Sequence, residues 1–235
     1  MNSISSGGMA VVIGASGGIG EALMETLTAS GVFAGVTGFS RASEPDIDLI
    51  DEQTIIRAAG AVRQTGLDLR LVFDATGFLH GSGFQPEKTL AAVTPAHMAH
   101  AFAVNAIGPA LLMKHFLPLL PKQGKSVFAT LSAKVGSIGD NALGGWYSYR
   151  ASKAALNQLV HTAAIELSRK KPEALCVALH PGTVDTGLSS GFAKSGLTVR
   201  APQETAALLL SVLDRLGSSQ SGGFFDRSNR PAIRK

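Results

Sequence analysis

Short runs of consecutive apolar residues alternate along this chain with longer segments in which apolar residues recur at helical spacing. The apolar runs occupy residues 10–13, 32–39, 69–75, 126–131 and 175–179. Their lengths are typical of strands buried on both faces. Alternation of such strands with helices predicts βαβ units and a parallel sheet. We therefore predict a single α/β domain of the Rossmann type, a doubly wound parallel sheet of about seven strands with helices on both faces.

The segments between the apolar runs predict the crossover helices. We expect them at 53–64, at 95–104 continuing through 111–120, at 147–168 and at 203–216. The link 40–51 is too short and too rich in Pro and Asp for a full helix, so it predicts a trimmed crossover. The helix at 147–168 is apolar on more than one side, which indicates a second subunit as its cover and predicts a homodimer or homotetramer.

Composition and charge narrow the class of protein. The chain has 235 residues, of which 45% are hydrophobic and 16% charged, as in a compact domain. Its single cysteine, Cys176, excludes an internal disulfide and fits a reduced compartment. We find no basic and apolar leader and no apolar run near the ~20 residues of a membrane span, so we expect a cytoplasmic protein without a membrane partner.

The net charge of +4 does not predict a nucleic-acid partner, because the basic residues concentrate in a tail at 227–235 and at the end of a helix, at 169–171. The histidines lack metal-ligand spacing, so no metal site is predicted. The Gly-rich segment 186–200 predicts a flexible loop beside a substrate site.

A glycine-rich turn follows the first apolar run and opens the first helix. Strand, glycine turn and helix in this order favour a phosphate-binding loop over a structural turn, although three residues rather than one separate the first two motif glycines. The residues predicted to contact a dinucleotide there are Gly14, Ser16, Gly18, Ile19 and Gly20.

Twenty residues beyond Gly20 stand Ser40 and Arg41, with no acid for a ribose 2′-hydroxyl. A guanidinium pairs well with phosphate, so Arg41 favours NADP(H), with NAD(H) as the second possibility. The alternative is that Arg41 is a residue of a surface loop.

Tyr149 and Lys153 place a phenol and an ammonium four residues apart, which brings them together on one helix face. A nearby cation favours the phenolate, so Lys153 is expected to lower the Tyr149 pKa toward neutrality. Tyr147 is the rival phenol, but Ala151 stands four residues beyond it. The pair alone would also suit a solvated surface contact.

With the glycine turn, Tyr149 and Lys153 in this order, the chain resembles the short-chain dehydrogenase/reductase family over nearly its whole length. The resemblance implies that Ser132, in Thr130-Leu131-Ser132, is the catalytic serine, with Ser137 and Ser148 as alternatives. It also implies that Asn105 is the asparagine that kinks a helix and holds a proton-relay water; the alternative is a helix C-cap.

The resemblance assigns further cofactor contacts. Asp48-Leu49 resembles the Asp-hydrophobic pair that contacts adenine after the family's third strand. Asp74-Ala75-Thr76-Gly77 stands where the family carries Asn-Asn-Ala-Gly, and only the glycine matches. The segment from His180 resembles the family's Pro-Gly turn beside the nicotinamide. The implied cofactor contacts are Asp48, Leu49, Ala75, Thr76, Gly77, Tyr149, Lys153, Pro181, Gly182, Val184 and Thr186.

These expectations together indicate an NADP(H)-dependent oxidoreductase that interconverts a carbonyl and an alcohol by hydride transfer, with Tyr149 as general acid and base. Within the family, the trimmed crossover and the segment from Tyr149 to Lys153 resemble those of small bacterial carbonyl reductases and C-factor-like members. The alternatives are a non-catalytic NADP(H)-binding regulatory or signalling protein and a nucleotide-dependent transferase. An apolar small-molecule substrate is expected from the candidate pocket residues, which are Phe78, His80, Leu143, Trp146 and Phe192.

Overall fold

A parallel six-stranded sheet forms the centre of the protein, in a computed structural model that describes residues 1–188, 199–228, 230 and 232. The strand order is β2-β1-β3-β4-β5-β8, and a second pair, β6-β7, lies outside this sheet. All pairings are parallel, as the sequence predicted. The strands are β1 (Met9–Ile13), β2 (Gly35–Phe39), β3 (Leu69–Asp74), β4 (Ser126–Leu131), β5 (Ala174–His180), β6 (Thr183–Val184), β7 (Val199–Arg200) and β8 (Phe224–Asp226).

Helices cover both faces of the sheet. Their bounds are α1 (Gly18–Ser30), α2 (Glu52–Gln64), α3 (Pro95–Phe102), α4 (Gly108–Phe116), α5 (Tyr147–Lys170) and α6 (Pro202–Arg215). Buried residues of α2, α4 and α5 share one core cluster, and those of α1 and α6 share the other. This arrangement confirms the predicted doubly wound fold with helices on both faces.

The central strands are apolar throughout because neither face reaches water. In β1, Val11 and Ile13 belong to the core under α2, α4 and α5, whereas Ala10 and Val12 belong to the core under α1 and α6. Successive side chains of a strand point to opposite faces, so a strand covered on both sides reads as a continuous apolar run. The same reason explains the pattern from which the strands were predicted.

The main sheet has six strands rather than about seven, and the difference lies in the link 40–51. This link contains turns and no strand, so Asp48-Leu49 does not follow a third strand as the family pattern implied. Leu49 is instead buried in the core of the α2 face. The crossover is therefore trimmed as predicted, and it lacks the third strand that the family pattern implied, so β2 is the edge strand of the sheet.

The predicted helix from 95 to 120 is one helical run with a π-helical segment at Ala103–Ile107 between α3 and α4. The run Pro95–Leu119 meets the length and hydropathy of a membrane span, with a mean hydropathy of 1.3. Leu112, Met113 and Phe116 within it pack into the core against the sheet. Buried positions make up 39% of the apolar window, so this packing accounts for part of its apolar composition.

Candidate active site

The glycine turn between β1 and α1 forms a backbone cradle at the carboxyl edge of the sheet. Gly14 has a φ of 82°, and the N–H groups of Gly14 and Ala15 donate to the carbonyl of Phe39. A Cβ at Gly20 would overlap the carbonyl oxygen of Gly14, so only glycine permits this close approach. Gly17 caps α1 without a side-chain hydrogen bond, which leaves N–H groups of the first turn to face a ligand.

Two other segments meet this cradle. The position of a Cβ at Gly14 lies 3.0 Å from the Thr76 methyl carbon and 3.2 Å from the Ala75 carbonyl carbon. The Thr186 methyl carbon lies 2.9 Å from the corresponding position at Gly18. Ser16 is exposed and Ile19 is partly buried beside them. The fold therefore gathers the glycine turn, the end of β3 and the segment after β6, as the sequence analysis expected.

The end of β2 lies beside the same turn. Ser40 follows Phe39 and forms a local turn in which its N–H donates to Ser43 Oγ at 2.9 Å. Arg41 is exposed next to it. Asp48 Oδ1 accepts from the Ile50 N–H at 3.1 Å, which is a contact of a surface turn. Arg41 thus stands free of the core, at the strand end from which a 2′-phosphate is read in dinucleotide folds.

The Pro181-Gly182 turn follows β5, at the same carboxyl edge of the sheet. Gly182 has a φ of 81°, and the Arg227 side chain packs against it. Val184 is 3% exposed in β6. His180 is not aimed at the site as an acid or base: its Nδ1 accepts from the Lys134 N–H at 3.3 Å, and burial lowers its pKa to about 4.

Helix α5 brings Tyr149 and Lys153 together. Lys153 Nζ lies 6.0 Å from the centroid of the Tyr149 ring and donates to the Leu131 carbonyl at 2.8 Å. Lys153 is only 3% exposed. Tyr147 faces away from this contact and lines a separate cavity of about 290 Å³ with Arg150, Ala151 and Ala154. The geometry therefore separates the two tyrosines as the i, i+4 argument anticipated.

Burial shifts both members of the pair toward their neutral forms. It raises the pKa of Tyr149 to about 12 and lowers the pKa of Lys153 to about 8, against the opposing effect of Asp74. The expected lowering of the Tyr149 pKa is thus wrong for this structure. The physical reason is that desolvation penalises the phenolate, while the ammonium points to the Leu131 carbonyl.

Asp74 is a buried carboxyl group that the sequence analysis recorded only as a departure from the family pattern. It is 0% exposed. Its Oδ1 accepts from Thr76 N at 3.0 Å and Thr76 Oγ1 at 2.5 Å, and its Oδ2 accepts from Thr130 Oγ1 at 2.6 Å. Burial raises the pKa of Asp74, while these bonds and Lys153 act in the opposite direction. Side-chain hydrogen bonding at this position is therefore retained by an acid in place of asparagine.

Asn105 lies inside the π-helical segment rather than at a helix end, so the C-cap alternative is wrong. Its side-chain amide exchanges two 2.8 Å hydrogen bonds with the backbone of Phe78 and donates to Ser152 Oγ at 3.1 Å. Ser152 Oγ in turn donates to the Tyr149 carbonyl at 2.9 Å. Asn105 thereby ties the loop after β3 to the helix that carries Tyr149. Such π-helical insertions are frequent at functional sites.

Ser132 directly follows β4 and donates to Asn157 Oδ1 at 2.7 Å. Asn157 was missed by the sequence analysis, although the spacing 149, 153, 157 places it on the same face of α5. Of the alternative serines, Ser137 is 3% exposed, and the Ser148 hydroxyl donates to the Glu87 carboxylate. Ser132 is the one of the three that both ends a strand and contacts this face of α5.

Some of the expected pocket residues lie in ring contacts near Tyr149 or Phe78, and others are exposed to solvent. The Trp146 ring lies 6.0 Å from the Tyr149 ring, and the Phe78 ring contacts the ring of His100 edge-on at 4.5 Å. Leu143 is 79% exposed, His80 is partly buried, and Phe192 lies outside the described residues. Among the residues that the structure describes, no three His, Cys, Asp or Glu side chains form a metal-binding group.

Comparison with known proteins agrees with this architecture. A family model described as enoyl-(acyl carrier protein) reductase matches residues 14–212. The C-signal protein of Myxococcus xanthus is 38% identical over 132 residues, which are 56% of this chain and 75% of that protein. The 1-hydroxy-2-glutathionyl-2-methyl-3-butene dehydrogenase of Rhodococcus sp. strain AD45 is 30% identical over 181 residues, covering 77% and 75% of the two chains.

Solved structures of other proteins share this fold. The NADPH-bound carbonyl reductase from chicken fatty liver superposes with a TM-score of 0.84 at 25% identity, covering 97% of this chain and 94% of that one. Carbonyl reductase Sniffer of Drosophila melanogaster superposes with a TM-score of 0.82 at 22% identity, covering 98% and 100%. The chain belongs to the short-chain dehydrogenase/reductase family of oxidoreductases.

Proposed function

We propose that the protein is an NADP(H)-dependent oxidoreductase that interconverts a small-molecule carbonyl and its alcohol, with Tyr149 as the general acid and base. The observation that carries the proposal is the meeting of Tyr149 and Lys153 on one face of α5, with Lys153 bonded at the end of β4. The neighbouring strand β3, which pairs with β4, contacts the glycine cradle at its end through Ala75 and Thr76.

The residues at the sheet edge fit a dinucleotide phosphate. Gly14, Gly18 and Gly20 supply the turn and the open N-terminus of α1, where a pyrophosphate is stabilised by N–H groups. Arg41 is exposed at the end of β2 and suits a 2′-phosphate. NADPH in the chicken carbonyl reductase supports the same choice here. When bound, the nicotinamide supplies the hydride.

Tyr149 donates its phenolic proton to the carbonyl oxygen in the reductive direction and accepts it in the oxidative one. A pKa of about 12 keeps the Tyr149 phenol protonated at neutral pH. Tyr149 therefore carries the proton that reduction requires. Lys153 presents an ammonium beside the ring, which stabilises the phenolate that forms after transfer. The Ser132 hydroxyl, which donates to Asn157 Oδ1 in this structure, turns its single hydrogen to the carbonyl oxygen of the substrate and orients it.

Asn105 acts chiefly as an anchor, because its side-chain amide is bonded to Phe78 and Ser152. Any relay water is then held by the backbone of the π-helical segment rather than by the amide of Asn105. Asn105 would orient Tyr149 through Ser152, which bonds the Tyr149 carbonyl.

Turnover of NADPH with a panel of aldehydes and ketones tests this function. Tyr149→Phe is expected to reduce kcat by about 10²–10⁴-fold, the usual contribution of a general acid, while NADPH binding measured by fluorescence titration is retained. Tyr147→Phe is the matched control, since Tyr147 lines the separate cavity, and it should keep wild-type turnover. Near wild-type activity of Tyr149→Phe with a verified substrate would refute the assignment.

The cofactor choice has its own test. Arg41→Ala is expected to raise the KM for NADPH by about tenfold, one lost charge-assisted phosphate contact, and to leave the KM for NADH unchanged. Equal efficiency with both cofactors, unaffected by this substitution, would show that Arg41 does not read the 2′-phosphate.

A non-catalytic NADP(H)-binding regulatory protein is the second candidate, favoured by the unusual acid Asp74 at the family's asparagine position. It predicts NADPH binding without NADPH oxidation across the whole carbonyl panel.

We also propose a homodimer or homotetramer, because Ile165 on α5 is 48% exposed and a second subunit would cover it. Sedimentation as a monomer at micromolar concentration would exclude this assembly.

A further inference from the structure

Helix α5 carries Tyr149 and Lys153 but begins without a cap of its own. Trp146 at the N-cap position has φ 54° and ψ 44°, and its side chain accepts no hydrogen bond from the first turn. Gly144 and Gly145 have φ values of 65° and 66°, so the chain enters α5 through three successive left-handed residues. A bulky side chain is strained in this region and persists only where its surroundings fix it.

Glu87, in the loop between β3 and α3, fixes both sides of this turn. Its main-chain carbonyl accepts from Trp146 N at 2.5 Å. Its carboxylate accepts from Ser148 N at 3.2 Å and from the Ser148 hydroxyl. The Ser148 N–H belongs to the first turn of α5, where N–H groups have no partner within the helix. Glu87 therefore supplies the acceptor that an N-cap side chain normally provides.

The surroundings of Glu87 hold it in the charged form and in one place. Its residue is 3% exposed, and His97 Nδ1 lies 3.2 Å from Oε1. The His97 ring stacks on Phe84 with centroids 5.0 Å apart and an interplanar angle of 5°. Burial opposes the charge, but the bonds from Ser148 and the neighbouring His97 lower the Glu87 pKa overall. A carboxylate at this point also complements the positive end of the α5 dipole.

We propose that Glu87 is a positioning residue that caps α5 from a distant loop and thereby sets the placement of Trp146 and Tyr149. Its hydrogen bonds go to the residues immediately before and after Tyr147, so any displacement at Glu87 is transmitted to the first turn of the helix. The consequence for chemistry rests on the proposed function, because it takes Tyr149 as the proton donor. The structural claim about the α5 entry does not.

The central experiment compares Glu87→Ala with the wild type by kinetics and by fluorescence. The chain has one tryptophan, Trp146, so its emission reports directly on this turn. We expect a red-shifted emission and stronger acrylamide quenching in Glu87→Ala. We expect kcat to fall by about 10- to 100-fold, as for a catalytic group displaced by about 1 Å, while the KM for NADPH stays within about twofold because uniform binding is untouched.

Three further variants isolate the carboxylate. Glu52→Ala is the matched control, because Glu52 also bonds a histidine, His115 Nε2 at 2.7 Å, but on the α2 side of the protein; it should leave kcat and Trp146 emission unchanged. Glu87→Gln keeps an acceptor oxygen and should recover most of the lost kcat. Ser148→Ala removes the hydroxyl bond and keeps the N–H bond, so it should lie between wild type and Glu87→Ala.

The outcomes separate the two proposals. Unchanged Trp146 quenching in Glu87→Ala would overturn the positioning role, whatever the enzyme turns over. An equal loss of turnover in Glu52→Ala would also overturn it, because the loss in Glu87→Ala would then reflect general destabilisation. Changed quenching with wild-type turnover would overturn the consequence for Tyr149. If the wild type reduces no carbonyl but Trp146 quenching still responds to Glu87, the proposed function fails and the capping role stands. Should Glu87→Ala not fold, Ser148→Ala replaces it: a partial rise in quenching with a partial fall in kcat is expected, and wild-type values of both would overturn the positioning role.

Discussion

Buried lysines stand at both edges of the sheet, and their hydrogen bonds differ. At the amino edge, Lys171 precedes β5 and is 9% exposed; its ammonium binds three carbonyl groups, those of Leu117, Pro118 and Leu120. At the carboxyl edge, Lys153 is 3% exposed, and its one hydrogen bond within the described residues is to the Leu131 carbonyl. The first lysine uses all its donors for structure. The second keeps donors available beside Tyr149.

This difference shows where the fold tolerates an incompletely compensated charge. Burying an ammonium is costly unless its donors are bonded, and Lys171 meets that condition at the end of the α4 run. Lys153 meets it only in part. Burial lowers the pKa of Lys153 to about 8, and it lowers the pKa of Lys171 as well. The carboxyl edge of a doubly wound sheet is the edge where ligands bind. The donors of Lys153 that have no partner within the described residues therefore lie at the edge where folds of this class bind ligands.

The largest expected effect comes from breaking the carboxyl-edge lysine. Lys153→Met should lower kcat by about 10²-fold or more, because the phenolate formed at Tyr149 loses its neighbouring cation. Steady-state NADPH oxidation measures it. Retained turnover would contradict the role of Lys153 in the site.

The difference in stability between the wild type and Lys153→Met is expected to depend on pH. The Lys153 pKa is about 8 in the folded protein and about 10.4 unfolded, so the unfolded chain binds more protons between these values. Wild-type stability contributed by this group therefore rises with pH from about 8 to 10.4. In thermal melts, the Tm of Lys153→Met should fall relative to the wild-type Tm as the pH rises over this range. A Tm difference that does not change with pH would refute the shifted pKa of Lys153.

The matched change at the amino edge should lower stability and leave turnover unchanged. Lys171→Met leaves three helix-end carbonyls without their donor, which is expected to reduce the free energy of unfolding by about 3 kcal/mol, at about 1–3 kcal/mol for each buried unpaired group with partial relaxation. Urea denaturation measures this loss. Turnover per folded molecule should match wild type, and a loss of kcat without a loss of stability would abolish the distinction between the edges.

The fold and part of the candidate site were predictable from the sequence. The parallel sheet, the glycine turn and the Tyr149–Lys153 pair were predictable because each depends on local spacing: buried runs, a strand–turn–helix order and i, i+4 neighbours. The loss of an edge strand at 40–51 was anticipated only as a trimmed crossover, because pairing of an edge strand depends on tertiary neighbours.

The contacts that join distant segments could not be predicted in this way. Asp74 to Thr130 spans 56 residues, and Glu87 to Ser148 spans 61. No periodicity links such positions, and the direction of the Tyr149 pKa shift depends on burial that a helical wheel does not show. Asn157 was within reach, since it continues the spacing from Tyr149 and Lys153 and contacts Ser132.

A smaller effect is expected from neutralising Asp74, the acid that opposes the low pKa of Lys153. In Asp74→Asn the Lys153 pKa should fall further, so the alkaline limb of the kcat profile moves to lower pH. An asparagine oxygen can still accept from Thr76, and its amide can donate to Thr130 Oγ1, so the strand end should remain intact. A pH–rate profile from pH 6 to 9 measures the shift.

The control for Asp74 comes from the amino edge. Asp68 pairs with Arg70 at 2.6 Å just before β3, and Asp68→Asn should leave the pH profile in place. A profile that moves equally in both variants would show that net charge, rather than the buried contact near Lys153, sets the alkaline limb.

The smallest effect concerns Lys125, the second capping lysine of the amino edge. Its ammonium binds Ser3 Oγ and three carbonyls at the end of α6, those of Leu213, Asp214 and Leu216, but the residue is only half-buried. Water can replace part of what Lys125→Met removes, so the free energy of unfolding should fall by about 1 kcal/mol, less than for Lys171→Met, again without a change in kcat. Urea denaturation of both variants ranks them. A larger loss at Lys125 than at Lys171 would show that burial does not set the worth of a helix-capping lysine in this fold, and that the contrast with Lys153 must be sought in the number of bonded donors alone.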